Sequence, residues 1–187
     1  MKRALLVSIA LIVLSVPALA SEWVIDPDNS EVTFVTDAFG TTVNGRFSSF
    51  GADITLDPND LTRAHIEAYV ETGSVETGTP DIDDALLGEE GFDPQGHMRA
   101  TFVSNDVHPG EGCGDAEALC LIASGDMVIR GVSKPLDLPF ALSSDGTRAV
   151  ADGSFVIRRT DYNIGTLEWE LAGWETTVHL HIEATSR

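Results

Sequence analysis

The stretch from Gly125 to Phe140 constrains the fold most, because it alternates apolar and polar positions with the period of a β-strand on both sides of a break. Met127 and Ile129 share one face before the break, and Phe140 continues that face after it. The break, Gly131 to Pro135, combines glycine, serine and proline, the residues that favour turns. The stretch therefore predicts an antiparallel hairpin with one buried face.

The same alternation recurs along the chain and is cleanest from Ala64 to Val70. About eight such strands with short connections predict an all-β fold, either a sandwich or a barrel, rather than alternating βα units. Several strands are apolar on one face and polar on the other, which is typical of an antiparallel up-and-down barrel. Barrels of about eight strands can hold one small ligand in their interior.

One short helix interrupts the strands. Thr79 is suited to cap it, Pro80 to its first position and Gly88 to its end. Ile82, Ala85 and Leu86 fall on one apolar stripe of this helix.

Residues 1–20 have the pattern of an export signal. Lys2 and Arg3 precede an apolar run from Ala4 to Val16, and small residues at Ala18 and Ala20 suit a cleavage site. The run is shorter than the roughly 20 apolar residues that span a bilayer, so we prefer a cleaved signal to an anchor. Residues 21–187 are then one exported domain, with no stable insertion into the membrane.

The chain is strongly acidic, with 30 Asp and Glu against 11 Lys and Arg and a formal net charge of −19. Phosphate backbones would be repelled, which excludes nucleic acid as a partner. Docking to anionic lipid is disfavoured for the same reason.

Cys113 and Cys120 are the only cysteines. A close pair in an exported protein favours a structural disulfide that closes a short loop. A zinc site would need further thiol or imidazole ligands near this pair.

The alternation directs twelve apolar side chains towards the interior, where we place the candidate ligand-binding residues. These are Phe34, Phe47, Ile54, Leu56, Ile66, Val70, Phe102, Met127, Ile129, Leu138, Phe140 and Phe155. A filled core and a cavity both fit this pattern, because apolar faces usually pack against each other.

Two groups of polar residues contain side chains of the kinds that bind metals. His179 and His181 share one strand face and can share a metal, but no third ligand lies at a useful spacing, so a solvated outer face is preferred. The acidic residues from Asp81 to Asp93 do not follow the calcium-loop pattern. No metal and no cofactor is predicted.

No motif in the sequence predicts catalysis. The nucleophile elbow, the phosphate-binding loop and the dinucleotide fingerprint are all missing from the sequence. Arg159 and Asp161 are predicted to form a structural ion pair, and His97 near Asp93 is too general a pairing to indicate acid–base chemistry.

A series of short motifs follows in order across residues 21–187. In chain order they include Asp26, Ser30 and Phe34; Val43, Gly45, Phe47, Phe50 and Ile54; Asp57 and Pro58; Gly73, Ser74, Val75, Thr77 and Gly78; Asp83, Leu86, Phe92 and Asp93; Ala100 and Phe102; Gly125 to Leu136; and Arg159, Asp161, Tyr162, Ile164 and Gly165. In their order and spacing, these motifs together resemble the YceI-like family.

The resemblance implies an extended, lipocalin-like antiparallel β-barrel that is exported to the periplasm. It also implies a long apolar ligand inside the barrel, such as a polyprenoid, an isoprenoid quinone or a fatty amide. The chain departs from the family pattern at Ala38, where many members have histidine, at Asn163, where many have glycine, and near Met98, where a proline is common. These departures bear on the ligand head group rather than on the barrel.

Three functional hypotheses follow. The first is a periplasmic carrier of an isoprenoid lipid, which is favoured because catalytic signatures are missing. The alternatives are an enzyme acting on such a lipid and a stress-related structural protein with a filled core. The sequence leaves the oligomeric state open, including a homodimer.

Overall fold

A computed structural model describes residues 22–38, 40–113, 118–165, 169 and 172–187 of the chain. The predicted export signal lies outside these residues. The regular elements are β1 (Glu22–Ile25), β2 (Glu31–Ala38), β3 (Thr41–Phe47), β4 (Phe50–Asp57), β5 (Asp60–Glu71), β6 (Val75–Glu76), α1 (Pro80–Leu87), β7 (Arg99–Pro109), β8 (Leu119–Ile129), β9 (Val132–Ser144), β10 (Arg148–Arg158) and β11 (Ala172–Ser186).

Eight of these strands form a closed antiparallel barrel. The ring runs β1, β4, β5, β7, β8, β9, β10 and β11, and it closes because β1 pairs with both β4 and β11. The first part of β11 pairs with β2 instead of β1. Strand β3 pairs with β2, and β6 pairs with β3. The predicted all-β barrel of about eight strands with one short helix is confirmed.

The barrel has two distinct ends. At the end that we call the Trp23 end, the short strand β1 closes the ring between β4 and β11. At the opposite end, the helix end, the hairpin joining β8 and β9 is tied to the segment after α1, because Arg130 donates to the carbonyl oxygen of Gly91 at 2.6 Å. The segment after β10 also contacts the segment after α1 at this end, since the backbone N–H of Gly165 donates to the carbonyl oxygen of Glu90.

The predicted hairpin is present, but its turn is shorter than expected. Arg130 and Gly131 alone make the turn, with φ of 50° and 72°, which matches the two-residue turns that suit twisted strands. Strand β9 therefore begins at Val132, and the prediction of a turn reaching Pro135 is wrong.

Two prolines lie inside β9 without breaking its ladder with β8. In a two-residue hairpin the pair beside the turn is hydrogen-bonded and the next pair is not, so Pro135 and Pro139 fall at non-hydrogen-bonded positions opposite Asp126 and Ile122. Their missing N–H groups would point towards β10. Pairing of β9 with β10 covers only residues 140–144, so little or no ladder hydrogen bonding is lost.

Helix α1 has the predicted bounds, but the predicted capping bond from Thr79 is wrong. The Thr79 side chain makes no capping bond. Instead, one carboxylate oxygen of Asp83 accepts hydrogen bonds from the Thr77 backbone N–H at 2.7 Å and the Thr77 hydroxyl at 2.6 Å. Among the described residues, no helix is long and apolar enough to cross a bilayer.

The predicted disulfide is confirmed. Cys113 and Cys120 are bonded, with their Cα atoms 5.6 Å apart, where the chain passes from β7 to β8.

The apolar interior consists of two clusters. One lies towards the Trp23 end and includes Leu56 and Leu121, and the other lies towards the helix end and includes Phe47 and Phe92. Three side chains of intermediate burial pack against both clusters, namely Met127, Phe155 and Leu180. The interior is therefore continuous along the barrel.

Candidate functional site

The barrel interior contains a cavity of about 640 Å³. This volume falls in the range of about 300–1,000 Å³ that is usual for small-molecule sites. All twelve inward residues predicted from the alternation line it, from Phe34 on β2 to Phe155 on β10. Their contact with a ligand stays a prediction.

Small inward residues leave the space that the large ones do not fill. Ala52 on β4 and Ala68 on β5 are paired neighbours on the cavity wall. Ala151 and Gly153 on β10 also line the cavity. Each of these positions is occupied by a residue with one carbon or none beyond Cα. The sequence left open whether the interior is a filled core or contains a cavity, and the structure has a cavity.

The Trp23 end of the cavity is closed and apolar. The Trp23 side chain is only 7% exposed, lines the cavity and donates its indole N–H to the carbonyl oxygen of Leu56 at 2.9 Å. Leu121 and Ala123 belong to the same cluster but do not line the cavity, and both are completely buried. Trp23 thus belongs to a closely packed apolar cluster at this end of the cavity.

At the other end, the cavity meets solvent beside α1. Ile82 and Leu86 of the helix line the cavity, together with Asp81 and Ala85, whose side chains are exposed. Residues that are both exposed and part of the lining mark an opening. The sequence predicted an apolar stripe on this helix, but not that the stripe would cover a cavity mouth.

Arg159 is buried in the cavity wall at the helix end, with 6% of its surface exposed. Its guanidinium group has five N–H donors, and it makes five hydrogen bonds to backbone carbonyl oxygens. The acceptors are Ile164, Trp169 and Gly173, each at 2.8 Å, Ala172 at 3.2 Å, and Gly165.

Through these bonds Arg159 holds the chain between β10 and β11 in place. None of its guanidinium N–H groups remains to bind a ligand. Burial lowers the pKa of Arg159 below the usual arginine value, although arginine remains charged in proteins. The predicted ion pair with Asp161 is wrong: Asp161 is exposed, and the guanidinium donates to carbonyl groups instead.

The two histidines of β11 differ in their surroundings. His179 is exposed, whereas Nδ1 of His181 lies 2.6 Å from a carboxylate oxygen of Asp152 on β10. Nε2 of His181 lies 3.8 Å from Glu183. In the part of the chain that the structure describes, no three His, Cys, Asp or Glu side chains are grouped as metal ligands.

We expect the His181–Asp152 pair to make stability depend on pH. The hydrogen bond to Asp152 raises the pKa of His181, so the pair contributes fully below the ordinary pKa of about 6.5, and its contribution is lost as pH rises through the raised value. Both side chains are partly exposed, so the effect is under about 1 kcal/mol. Denaturant unfolding at a series of pH values measures it.

The control for this pH effect is Asp152→Asn, which keeps the shape of the side chain and removes its charge. The pH-dependent part of the stability between neutral and mildly alkaline conditions should shrink in this variant. An identical pH dependence in both proteins would contradict the assignment.

The closed barrel and its apolar cavity define a class: small antiparallel β-barrels that enclose an interior site of small-molecule size. Comparison with known proteins gives the family. The family model described as YceI-like domain matches residues 23–185. The chain belongs to the YceI-like domain family.

Individual relatives agree with this assignment. A UPF0312 protein of Shewanella sp. strain W3-18-1 is 32% identical over 141 residues, which cover 73% of this chain and 71% of that protein. The crystal structure of BcnA from Burkholderia cenocepacia superposes with a TM-score of 0.78 at 25% identity, covering 86% of this chain and 99% of BcnA.

A third similar structure is a domain from Saccharophagus degradans, described as polyisoprenoid-binding and implicated in plant cell wall breakdown. It has a TM-score of 0.69 and 17% identity, covering 90% of this chain and 99% of the domain. At this identity, the similarity shows the shared fold.

The three departures from the family pattern lie in different surroundings. Ala38 is 7% exposed and lines the cavity at the helix end. Asn163 has a φ of 58°, in the left-handed region that glycine adopts without strain, which explains why asparagine is tolerated there. Met98 is 70% exposed. Of these three positions, Ala38 alone lines the cavity.

Proposed function

We propose that this protein binds a long apolar isoprenoid lipid, a polyprenoid or an isoprenoid quinone, inside its barrel and carries it without chemical change. The observation that carries this proposal is the cavity of about 640 Å³, whose walls are the inward apolar faces of the strands. The shared fold of the polyisoprenoid-binding domain from Saccharophagus degradans supports it.

The cavity favours a ligand that is recognised by shape and length. Burying a methylene group contributes about 0.8 kcal/mol of gross transfer free energy, so a long chain gains affinity without a charged contact. Met127, at the junction of the two clusters, can adapt to an irregular chain because its side chain is flexible.

The groups at the opening favour an uncharged head group. Asp81 lines the cavity mouth and would repel a phosphate, while the donors of Arg159 are already taken by backbone carbonyl groups. Thr36 and Thr176 also line the cavity and carry hydroxyl groups. A quinone or an alcohol fits these surroundings better than a phosphate.

The proposed compartment is the periplasm, which the export pattern of residues 1–20 supports. A disulfide in residues 113–120 fits an oxidising compartment. A carrier in this compartment would shield an insoluble chain from water between two membranes or two enzymes.

Narrowing the cavity should remove lipid without unfolding the barrel. Ala68 lines the cavity beside Ala52, its partner on the neighbouring strand, so Ala68→Trp places an indole ring in the existing space instead of in a packed core. We expect the retained isoprenoid to fall by about tenfold or more, equivalent to about 1.4 kcal/mol of binding free energy. Lipid extraction after incubation with solanesol, followed by mass spectrometry, measures it.

The matched control is Glu67→Trp, which puts the same ring on the outer face of the same strand. It should retain solanesol like the wild type. Equal retention by wild type and Ala68→Trp would contradict binding in the cavity, and recovery of a chemically altered lipid would support the enzyme alternative.

A further inference from the structure

Building on the proposed function, we propose that Trp23 is the stop for the tail of the bound isoprenoid, so that the distance from α1 to Trp23 selects the chain length. The ligand then lies with its head group beside α1 and its hydrocarbon tail against the indole ring.

The position of Trp23 is fixed from several sides. Its strand β1 pairs with β4 through Ile54 and with β11 through Ser186, and the indole N–H is bonded to the Leu56 carbonyl oxygen. A side chain held by two neighbouring strands and a hydrogen bond has little freedom to move aside. Trp23 therefore forms a rigid wall.

The cluster that surrounds Trp23 is closely packed. Val107, Leu121 and Ala123 are at most 3% exposed and belong to the cluster that contains Trp23, yet none of them lines the cavity. Interiors packed in this way do not open for an extra methylene group without strain. A longer chain must project from the helix end instead.

Polarity fixes the direction of the ligand. Around Trp23 the cavity is lined by Leu56, Leu142, Ala149 and Ala184, and the indole N–H is already bonded. A carbonyl or hydroxyl head group placed there would lose its hydrogen bonds to water without replacement. At the helix end, solvent and the Asp81 carboxylate are within reach of the cavity.

Length selection is tested with a graded series of all-trans isoprenoid alcohols from geraniol to solanesol. For wild-type protein stripped of lipid, affinity should rise with each added isoprene unit until the tail reaches Trp23 and should then level off. Ala149→Leu adds bulk at this end, because Ala149 lines the cavity and pairs with Ala184 on β11. Its plateau should begin at a shorter alcohol.

The alcohols that fill the wild-type cavity should lose about tenfold in affinity for Ala149→Leu, and the shorter ones should lose nothing. Trp23→Ala should move the plateau to longer alcohols. The matched control is Ala141→Leu, at a position of β9 that lies outside the cavity lining, and its length profile should equal that of the wild type.

The orientation of the bound alcohol in the cavity can be measured by the fluorescence of Trp23. In the double variant Trp169→Phe and Trp174→Phe, Trp23 is the remaining tryptophan. A bromine at the tail of the alcohol should quench its emission, and a bromine beside the head group should not. The reverse pattern would overturn the proposed direction.

The outcomes separate the two proposals. Failure to retain any alcohol, at any length, would overturn the proposed function. Retention with the same length profile in wild type and Ala149→Leu would overturn the tail stop alone and leave the carrier function standing.

Discussion

Replacing Arg159 by methionine should lower the free energy of unfolding by about 3–5 kcal/mol. Methionine occupies similar space but donates no hydrogen bond, so the carbonyl oxygens of Ile164 and Gly165 lose their buried donor. Each buried polar group without a partner costs about 1–3 kcal/mol. Urea denaturation, with the slope of the transition compared between proteins, measures the loss.

Arg158→Met is the matched control for this effect. Arg158 precedes Arg159, is 60% exposed and only approaches Glu175, at 3.9 Å. Its replacement should change stability by no more than about 0.5 kcal/mol. Equal losses for the two variants would show that Arg159 does not hold the segment between β10 and β11 as described.

Ile129→Lys should destabilise the barrel by at least about 3 kcal/mol, because it places an unpaired charge in an apolar interior. Ile129 is 4% exposed and lines the cavity. Its neighbour Val128, opposite Thr101 and Ser133, points to the outer face of β8. Val128→Lys should therefore cost less than about 1 kcal/mol, as measured by thermal unfolding.

This pair of variants tests the register of the hairpin directly. A shift of one residue along a strand exchanges its two faces. Comparable losses for Ile129→Lys and Val128→Lys, or a larger loss for Val128→Lys, would contradict the register between β8 and β9.

The strands and their inward faces could be predicted because alternation is a local property of each strand, and the family resemblance favoured a barrel over a sandwich. Residues such as Phe102, Leu138 and Phe140 could be assigned to the interior without knowing which strands are neighbours, and the structure places all three on the cavity wall. The bounds of α1 followed in the same way from Pro80 and Gly88, which have local conformational preferences.

The cavity itself could not be predicted, because alternation is the same for a filled and an empty interior. The difference lies in side-chain volumes summed over strands that are distant in sequence. Ala52 and Ala68 leave space only because β4 and β5 bring them together. An inward alanine on several strands was the available signal, and it has meaning only once the pairing is known.

The errors at Arg159 and in the hairpin also depended on contacts beyond the local sequence. The prediction for Arg159 paired it with the nearest opposite charge, whereas the fold surrounds it with carbonyl groups from residues up to 14 positions away. The prediction for the hairpin treated Pro135 as part of the turn. Pro135 can lie inside β9 because β9 does not pair with β10 beside it, and that pairing is a property of the whole fold.

The central claim is that the cavity holds an isoprenoid lipid in the native protein. Native mass spectrometry of protein purified from its own host, followed by lipid extraction, tests it most directly. We predict a bound mass that is released as an unmodified, uncharged isoprenoid and that is strongly reduced in Ala68→Trp but not in Glu67→Trp. Protein that carries no lipid from its host and retains none after loading would contradict the account.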